Sequence, residues 1–364
     1  SVFFLALIRD FGWSYGGTAS IFSVFAFLSG VWGVLAGRLV DRLGPRPVIL
    51  AGGCILPAAL AADGLAAARW HLYLTHGIVA PLGFACLGWV PVSILLSRRF
   101  AVYRGLALGL ASGGVGLGIT LFVPLAQALI ERLGWRWAFA SVALLVAAVA
   151  LPVGWRMPRE KAPAGPRGRR PGDDAWSLVQ PMRRPEFWGI ALAFVLLNAP
   201  VQLALTHQVA HLVESGLPRI AAAGLAGLLG LASIPGKVGW GYLSDRWCLE
   251  WTYSAAIAAF VAGLAGLLCA GPGAPAWMLY ASAVGLGVGY AVSPALSPVL
   301  TGRFFPGPHF GTVFGTLAMV HNGAGAAGIW LGGYAHDLSG SYRLPLGLSV
   351  ACVVLAAAVI WLLA

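Results

Sequence analysis

Apolar positions along this chain neither alternate nor form a narrow stripe. They come in unbroken runs of about twenty residues, the length that carries a helix across a bilayer. Strands of a membrane barrel would alternate apolar and polar residues, and these runs do not. The pattern predicts eleven complete helical spans, near 18–37, 47–67, 72–97, 105–129, 136–155, 187–212, 220–243, 252–271, 275–300, 310–333 and 345–364. Residues 1–8 read as the tail of a first helix that is largely missing, and no leader peptide is expected. The longest polar stretch, 156–186, contains PREKAPAGPRGRRPGDD and reads as a flexible linker. It divides an N-terminal helical half (1–155) from a C-terminal one (187–364).

Composition agrees with the pattern. Of 364 residues, 59% are hydrophobic and 10% charged, with a mean hydropathy of +0.84. Soluble domains are about 45–50% apolar and about 25% charged, so the fold class is all-α integral membrane. The net charge of +11 is explained by loop asymmetry. With the 38–46 loop placed in the cytoplasm, loops on that side hold sixteen of the 23 Lys and Arg residues, the other side holds six, and Lys237 stands apart. This places the linker on the cytoplasmic side of a multi-pass inner-membrane protein. The RGRR run is then a topology determinant, with the lipid bilayer and not nucleic acid as the partner. The cysteines Cys54, Cys86, Cys248, Cys269 and Cys352 are scattered, without a CxxC pair. Neither a metal nor another cofactor is expected, and the protein is expected to be a monomer.

The chain repeats itself. SGVWGVLAGRLVDR (29–42) and SIPGKVGWGYLSDR (233–246) align at an offset of 204, matching Ser29 with Ser233, Gly37 with Gly241, Leu39 with Leu243, Asp41 with Asp245 and Arg42 with Arg246. Gly105 and Gly109 match Gly311 and Gly315 at an offset of 206. Two six-helix halves in the same orientation are parallel repeats about an axis along the membrane normal. Such repeats suit a rocking transporter with its site midway between them.

The first copy continues through Gly44, Pro45 and Arg46. This Gly-x3-Asp-Arg-x-Gly-x-Arg loop resembles the signature between helices 2 and 3 of the major facilitator superfamily. The resemblance implies the major facilitator fold and a gating role for Gly37, Asp41, Arg42, Gly44 and Arg46, with Gly241, Asp245 and Arg246 as the second copy. That copy lacks the downstream Gly-x-Arg, because WCLE follows Arg246. FGWSYGGTASIFSVFAF, RGLALGLASGGVGLG and HFGTVFG with HNGAGAAG are similar to bacterial relatives of the monocarboxylate and oxalate–formate transporters.

Lys237 is the anomaly. It lies eight residues before Asp245, about 12 Å along a helix, in a hydrocarbon layer about 30 Å thick. Its side chain leans toward the helix N-terminus, away from the cytoplasmic surface. A lysine at that depth costs at least about 2.5–3.5 kcal/mol, so a cavity, a partner or an anionic substrate must offset it. The repeat has Gly33 at the matching position, so the fold itself does not require the cation. Two readings stay open: contact with substrate, or pairing with backbone carbonyls or an acid elsewhere. All twelve acids lie in loops or near span ends, with Asp63 and Glu214 nearest to exceptions. In the resembled transporters the matching helix 8 position carries an arginine that binds the substrate carboxylate. Lysine keeps that charge and loses the bidentate fork.

Other polar groups lie at depth. Ser233 is one turn from Lys237. His321 and Asn322 sit about 15 Å into their helix, where a histidine either carries a proton or packs through a hydrogen bond. Asn198, Gln202 and Thr206 form a stripe that either lines a cavity or joins helices. Tyr290 is a further candidate, while His76, His207 and His211 fall nearer the outer face and read as structural. The glycine clusters at 113–118 and 285–290 lie inside apolar spans, not between a soluble strand and a helix, so they are not phosphate loops. Without a catalytic signature, an enzyme is not expected. The reading is a secondary active transporter that moves a small organic anion, a monocarboxylate, by alternating access with proton symport or anion exchange. A drug or metabolite exporter of the same fold and a non-transporting membrane sensor are the alternatives.

Overall fold

The computed structural model describes residues 2–89, 91–92, 95–96, 104–157, 179–244, 246–271, 273–305 and 310–363. Among them there are helices and no strands. They are α1 (Val2–Phe11), α2 (Tyr15–Leu43) and α3 (Pro45–Gly64). Then α4 runs through Arg69–Leu72, a π-helical stretch Tyr73–Val79, and Ala80–Leu87. Arg104–Arg156 breaks at Gly134 (φ 79°, ψ 160°) into α5 (104–133) and α6 (135–156). Only glycine takes that backbone conformation without strain. The C-terminal helices are α7 (Pro185–Glu214), α8 (Arg219–Ser244), α9 (Leu249–Leu268), α10 (Ala276–Tyr290 and Val292–Phe304), α11 (Phe310–Ser339) and α12 (Arg343–Leu362). Among the described residues, eight spans are long and apolar enough to cross a membrane. Most of the linker, 158–178, lies outside the described residues.

Most apolar runs end within about four residues of the helices, but α2 and α11 run six residues past theirs, and the end of the 72–97 span lies outside the described residues. One span expected to be continuous, 275–300, is interrupted at Ala291. Pro294 explains this: its ring crowds the carbonyl four residues back, that of Tyr290, and offers it no N–H. Pro235 does the same to Leu231 inside α8, two residues before Lys237.

By contact the chain forms two compact units. One contains Ser1–Ser20, Ser112–Ala128 and Pro181–Ala364; the other contains Ile21–Ala111 and Leu129–Gln180. Within the first, small residues set the helix spacing. A Cβ on Gly287 of α10 would lie 2.3 Å from the Leu229 carbonyl of α8, and one on Gly328 of α11 would lie 2.1 Å from the Ala199 carbonyl of α7. Gly116 of α5 is pressed against Ile234, Gly230 and Ser233 of α8. In a bilayer, helices associate by such backbone approach and not by burying apolar surface from water. In the second unit Gly52 of α3 faces Gly83 of α4, and Ala36, Val40, Val48, Ala85 and Cys86 form a buried cluster beside the α2–α3 turn.

Candidate functional site

Lys237 is 7% exposed in the middle of α8. Its Nζ donates to the Ser112 carbonyl of α5 at 3.3 Å and lies 5.5 Å from the centre of the Tyr290 ring. Tyr290 ends the first segment of α10, at the break induced by Pro294. Ser233 is fully buried and donates back to the Gly230 carbonyl at 2.7 Å, as Ser29 does to Phe25 in the first repeat. Trp240 donates to the Val288 carbonyl at 2.7 Å and fixes α8 on α10. Lys237, Ser233 and Tyr290 are therefore held together by α8, α10 and the 112–128 segment. No carboxylate among the described residues pairs with Lys237. One long carbonyl bond and one aromatic face leave donor capacity on an ammonium with three N–H groups.

Ser112 is the member that sequence reasoning missed. It lies in the glycine-rich stretch RGLALGLASGGVGLG, and it contributes a main-chain carbonyl, which no residue type announces.

Others of the predicted site residues meet where α7 packs on α11. Asn198 of α7 donates to the His321 carbonyl of α11 at 2.6 Å, and a Cβ on Gly325 would meet both Asn198 and Gln202. This end of the polar stripe joins α7 to α11. The His321 ring packs edge-on against Phe194, with Nδ1 buried and without a partner among the described residues. Asn322 follows on the same helix, half-buried.

At the predicted gating loop, α2 closes with Gly44 donating to the Val40 carbonyl at 2.9 Å. Gly44 has φ 82°, which explains the glycine, and Pro45 opens α3. Arg46 stacks over Trp155 of α6 at 5.7 Å, while Arg42 is exposed. The Asp41 side chain lies outside the described residues. In the second copy Asp245 also lies outside them, and Arg246 stacks over Tyr242 at 4.5 Å. Among the described residues, a Cβ on Gly241 would meet nothing within 4 Å. Where Gly-x-Arg is missing, Glu250 at the start of α9 is ion-paired with Arg303 at the end of α10.

The histidines read as structural have specific partners. His207 directs Nε2 to the Ile329 carbonyl at 2.9 Å, so Nε2 carries the proton, and Nδ1 accepts from the Tyr342 hydroxyl at 3.1 Å. Burial pushes the Tyr342 phenol far up, which keeps it a donor. His211 donates to Leu267 at 2.8 Å. His76 lies 2.8 Å from Asp63, a fully buried acid that also accepts from Thr75. Thr75 and His76 adjoin inside the π-helical stretch, whose wider turn brings consecutive side chains nearer one direction.

The Major Facilitator Superfamily model matches residues 1–249 and 216–364. Monocarboxylate transporter 13 of Rattus norvegicus is 28% identical over 363 residues, which is 94% of this chain and 78% of that one. Monocarboxylate transporter 3 of Mus musculus is 42% identical over 139 residues, 38% of this chain and 28% of its own. Among solved structures, the nucleoside transporter NupG aligns with a TM-score of 0.80 at 12% identity, covering 100% of this chain and 94% of that one. A bacterial homolog of the human lysosomal transporter Spinster, in an inward-facing and unoccupied conformation, gives 0.72 at 17%, covering 98% and 91%. At such identities the structures speak to the fold alone. The chain belongs to the major facilitator superfamily, as a multi-pass secondary transporter and not an enzyme, and it resembles the monocarboxylate transporters.

Proposed function

We propose that this transporter carries a small monocarboxylate, with Lys237 as the anchor for the carboxylate. The single observation that carries the reading is a buried, mid-span ammonium with no carboxylate partner among the described residues. A substrate anion would complete its donor set, and Ser233 and Tyr290 are close enough to help orient it. The names of the similar transporters support the same class of substrate. His321 and Asn322 of α11, with Asn198 and Gln202 of α7, are a second set of polar candidates for contact with the substrate or a proton. Transport runs by alternating access of the halves 1–155 and 187–364, with the 38–46 and 241–246 segments controlling the cytoplasmic end. The linker lies in the cytoplasm of a cell whose inner membrane holds the protein. A monocarboxylate held at one cation is compatible with proton symport and with anion exchange.

The test is uptake of labelled lactate, pyruvate, formate and oxalate into proteoliposomes. Wild type is expected to take up at least one acid, Lys237→Ala to lose that uptake, and Lys237→Arg to keep part of it. Equal uptake by Lys237→Ala would remove the lysine from the site. Movement of a neutral or cationic compound alone would overturn the anion reading.

A further inference from the structure

Opposite the 38–46 end, the start of α2 is held by a cluster that no predicted gating residue belongs to. The first turn of a helix has N–H groups without intrahelical acceptors, and it carries partial positive charge. In α2 a distant residue satisfies two of them. Asp337, near the end of α11, accepts the Tyr15 N–H on Oδ1 at 2.8 Å and the Gly16 N–H on Oδ2 at 2.7 Å. Ser14 accepts the Gly17 N–H locally at 3.1 Å. The Tyr15 hydroxyl donates to Oε1 of Glu214, the last residue of α7, at 2.7 Å, and Oε2 of Glu214 lies 3.1 Å from Nε2 of His336. The Tyr15 ring lies over His336 with centroids 4.0 Å apart. Backbones touch beneath these bonds: a Cβ on Gly333 would lie 2.7 Å from the Tyr15 carbonyl and 2.8 Å from Ala19 Cβ.

We propose that this clasp is the gate at the 9–14 end of the transport path, held shut by Asp337 capping the α2 N-terminus. The inference rests on the alternating-access reading above, though not on the identity of the substrate. A transporter must open at this end during its cycle, and the clasp joins a segment before the linker to two helices after it. Opening there separates the first turn of α2 from α7 and α11. Two charge-assisted bonds at a helix terminus, a phenol–carboxylate bond and a glycine-mediated backbone contact are then lost together. All of them are short-range and directional, so the gate has a defined closed position and no partly open one.

The experiment reads accessibility, not flux. In the full-length protein with its native cysteines replaced, Ala19→Cys is introduced as reporter, because Ala19 is 0% exposed beneath Gly333. A membrane-impermeant maleimide is applied from the side of the 9–14 loop. Labelling is expected to be slow in the parent. In Asp337→Ala it should be about tenfold faster, the factor produced by losing about 1.4 kcal/mol of charge-assisted bonding. Asp337→Asn keeps one acceptor oxygen and should fall between; Tyr15→Phe should give a smaller rise. If Asp337→Ala does not fold, the Asn and Phe variants carry the test, and parental labelling rates in both overturn the gate. Labelling needs no substrate. Failure of the monocarboxylate reading would appear as absent acid uptake, whereas failure of the gate would appear as unchanged labelling.

Discussion

A single charged side chain in a bilayer is tolerated when its donors or acceptors find partners, and the partners reveal its task. Asp63 has a complete set: Thr75 and His76 both reach it. Such a group is structural wiring. Asp63→Ala, which removes the acceptor shared by His76 and Thr75 and leaves Thr75 only the His71 carbonyl, should lower stability by about 1–3 kcal/mol, read as a drop in the thermal midpoint of the detergent-purified protein. Asp63→Asn, which keeps an acceptor, should lose less. Lys237 has an incomplete set, with one carbonyl at 3.3 Å and an aromatic face. Replacing it with alanine removes a desolvation penalty along with a weak bond. Lys237→Ala should therefore be at least as thermally stable as wild type while failing in acid uptake. A fall in stability comparable to that of Asp63→Ala would assign Lys237 to structure instead.

At the scale of elements, glycine is where the sequence is easiest to over-read. Gly287 and Gly239 look alike in the chain. A Cβ on Gly287 would collide with the Leu229 carbonyl at 2.3 Å, whereas one on Gly239 would meet nothing within 4 Å among the described residues. Gly287→Ala must push α10 off α8 and should cost at least about 1–3 kcal/mol. Gly239→Ala should be neutral, or stabilising by up to about 1 kcal/mol through helix propensity. Thermal midpoints of the two variants test the contrast. Gly44→Ala, forced to keep φ 82°, should cost about 1–2 kcal/mol for a different reason, backbone strain. The same logic explains Gly116, which lets α5 reach Ser233 and thereby brings the Ser112 carbonyl to Lys237. Gly116→Val should impair uptake even if the protein still folds, because it wedges α5 away from the site.

For the whole molecule, length of apolar run, charge asymmetry and repeat were legible before any coordinates. Most helix ends fell close to the apolar boundaries, whereas α2 and α11 continue six residues beyond theirs. The signature loop was legible because its glycine and proline encode a local turn. The site was legible only in part. Lys237 stood out by composition alone, and Ser233 by its one-turn spacing. The bond from Asn198 to the His321 carbonyl was not visible, because spacing gives depth along a helix but not which neighbour its face meets. The clasp at Asp337 was equally invisible: its acceptor and its donors lie 322 and 321 residues apart. The 38–46 loop was expected to gate because it carries a motif; main-chain N–H groups at a helix start carry none.

The sequence by itself determined that this is a helical membrane protein of duplicated design, with one cation at a depth where the duplicate needs none. Those properties follow from transfer free energies and from periodicity, which are sums over the residues of one segment. Tertiary structure decided which carbonyl meets Lys237, which polar stripe joins helices and which acid caps α2. These depend on glycine-set helix approach and on directional hydrogen bonds between segments hundreds of residues apart, and such terms have no value until the helices are packed.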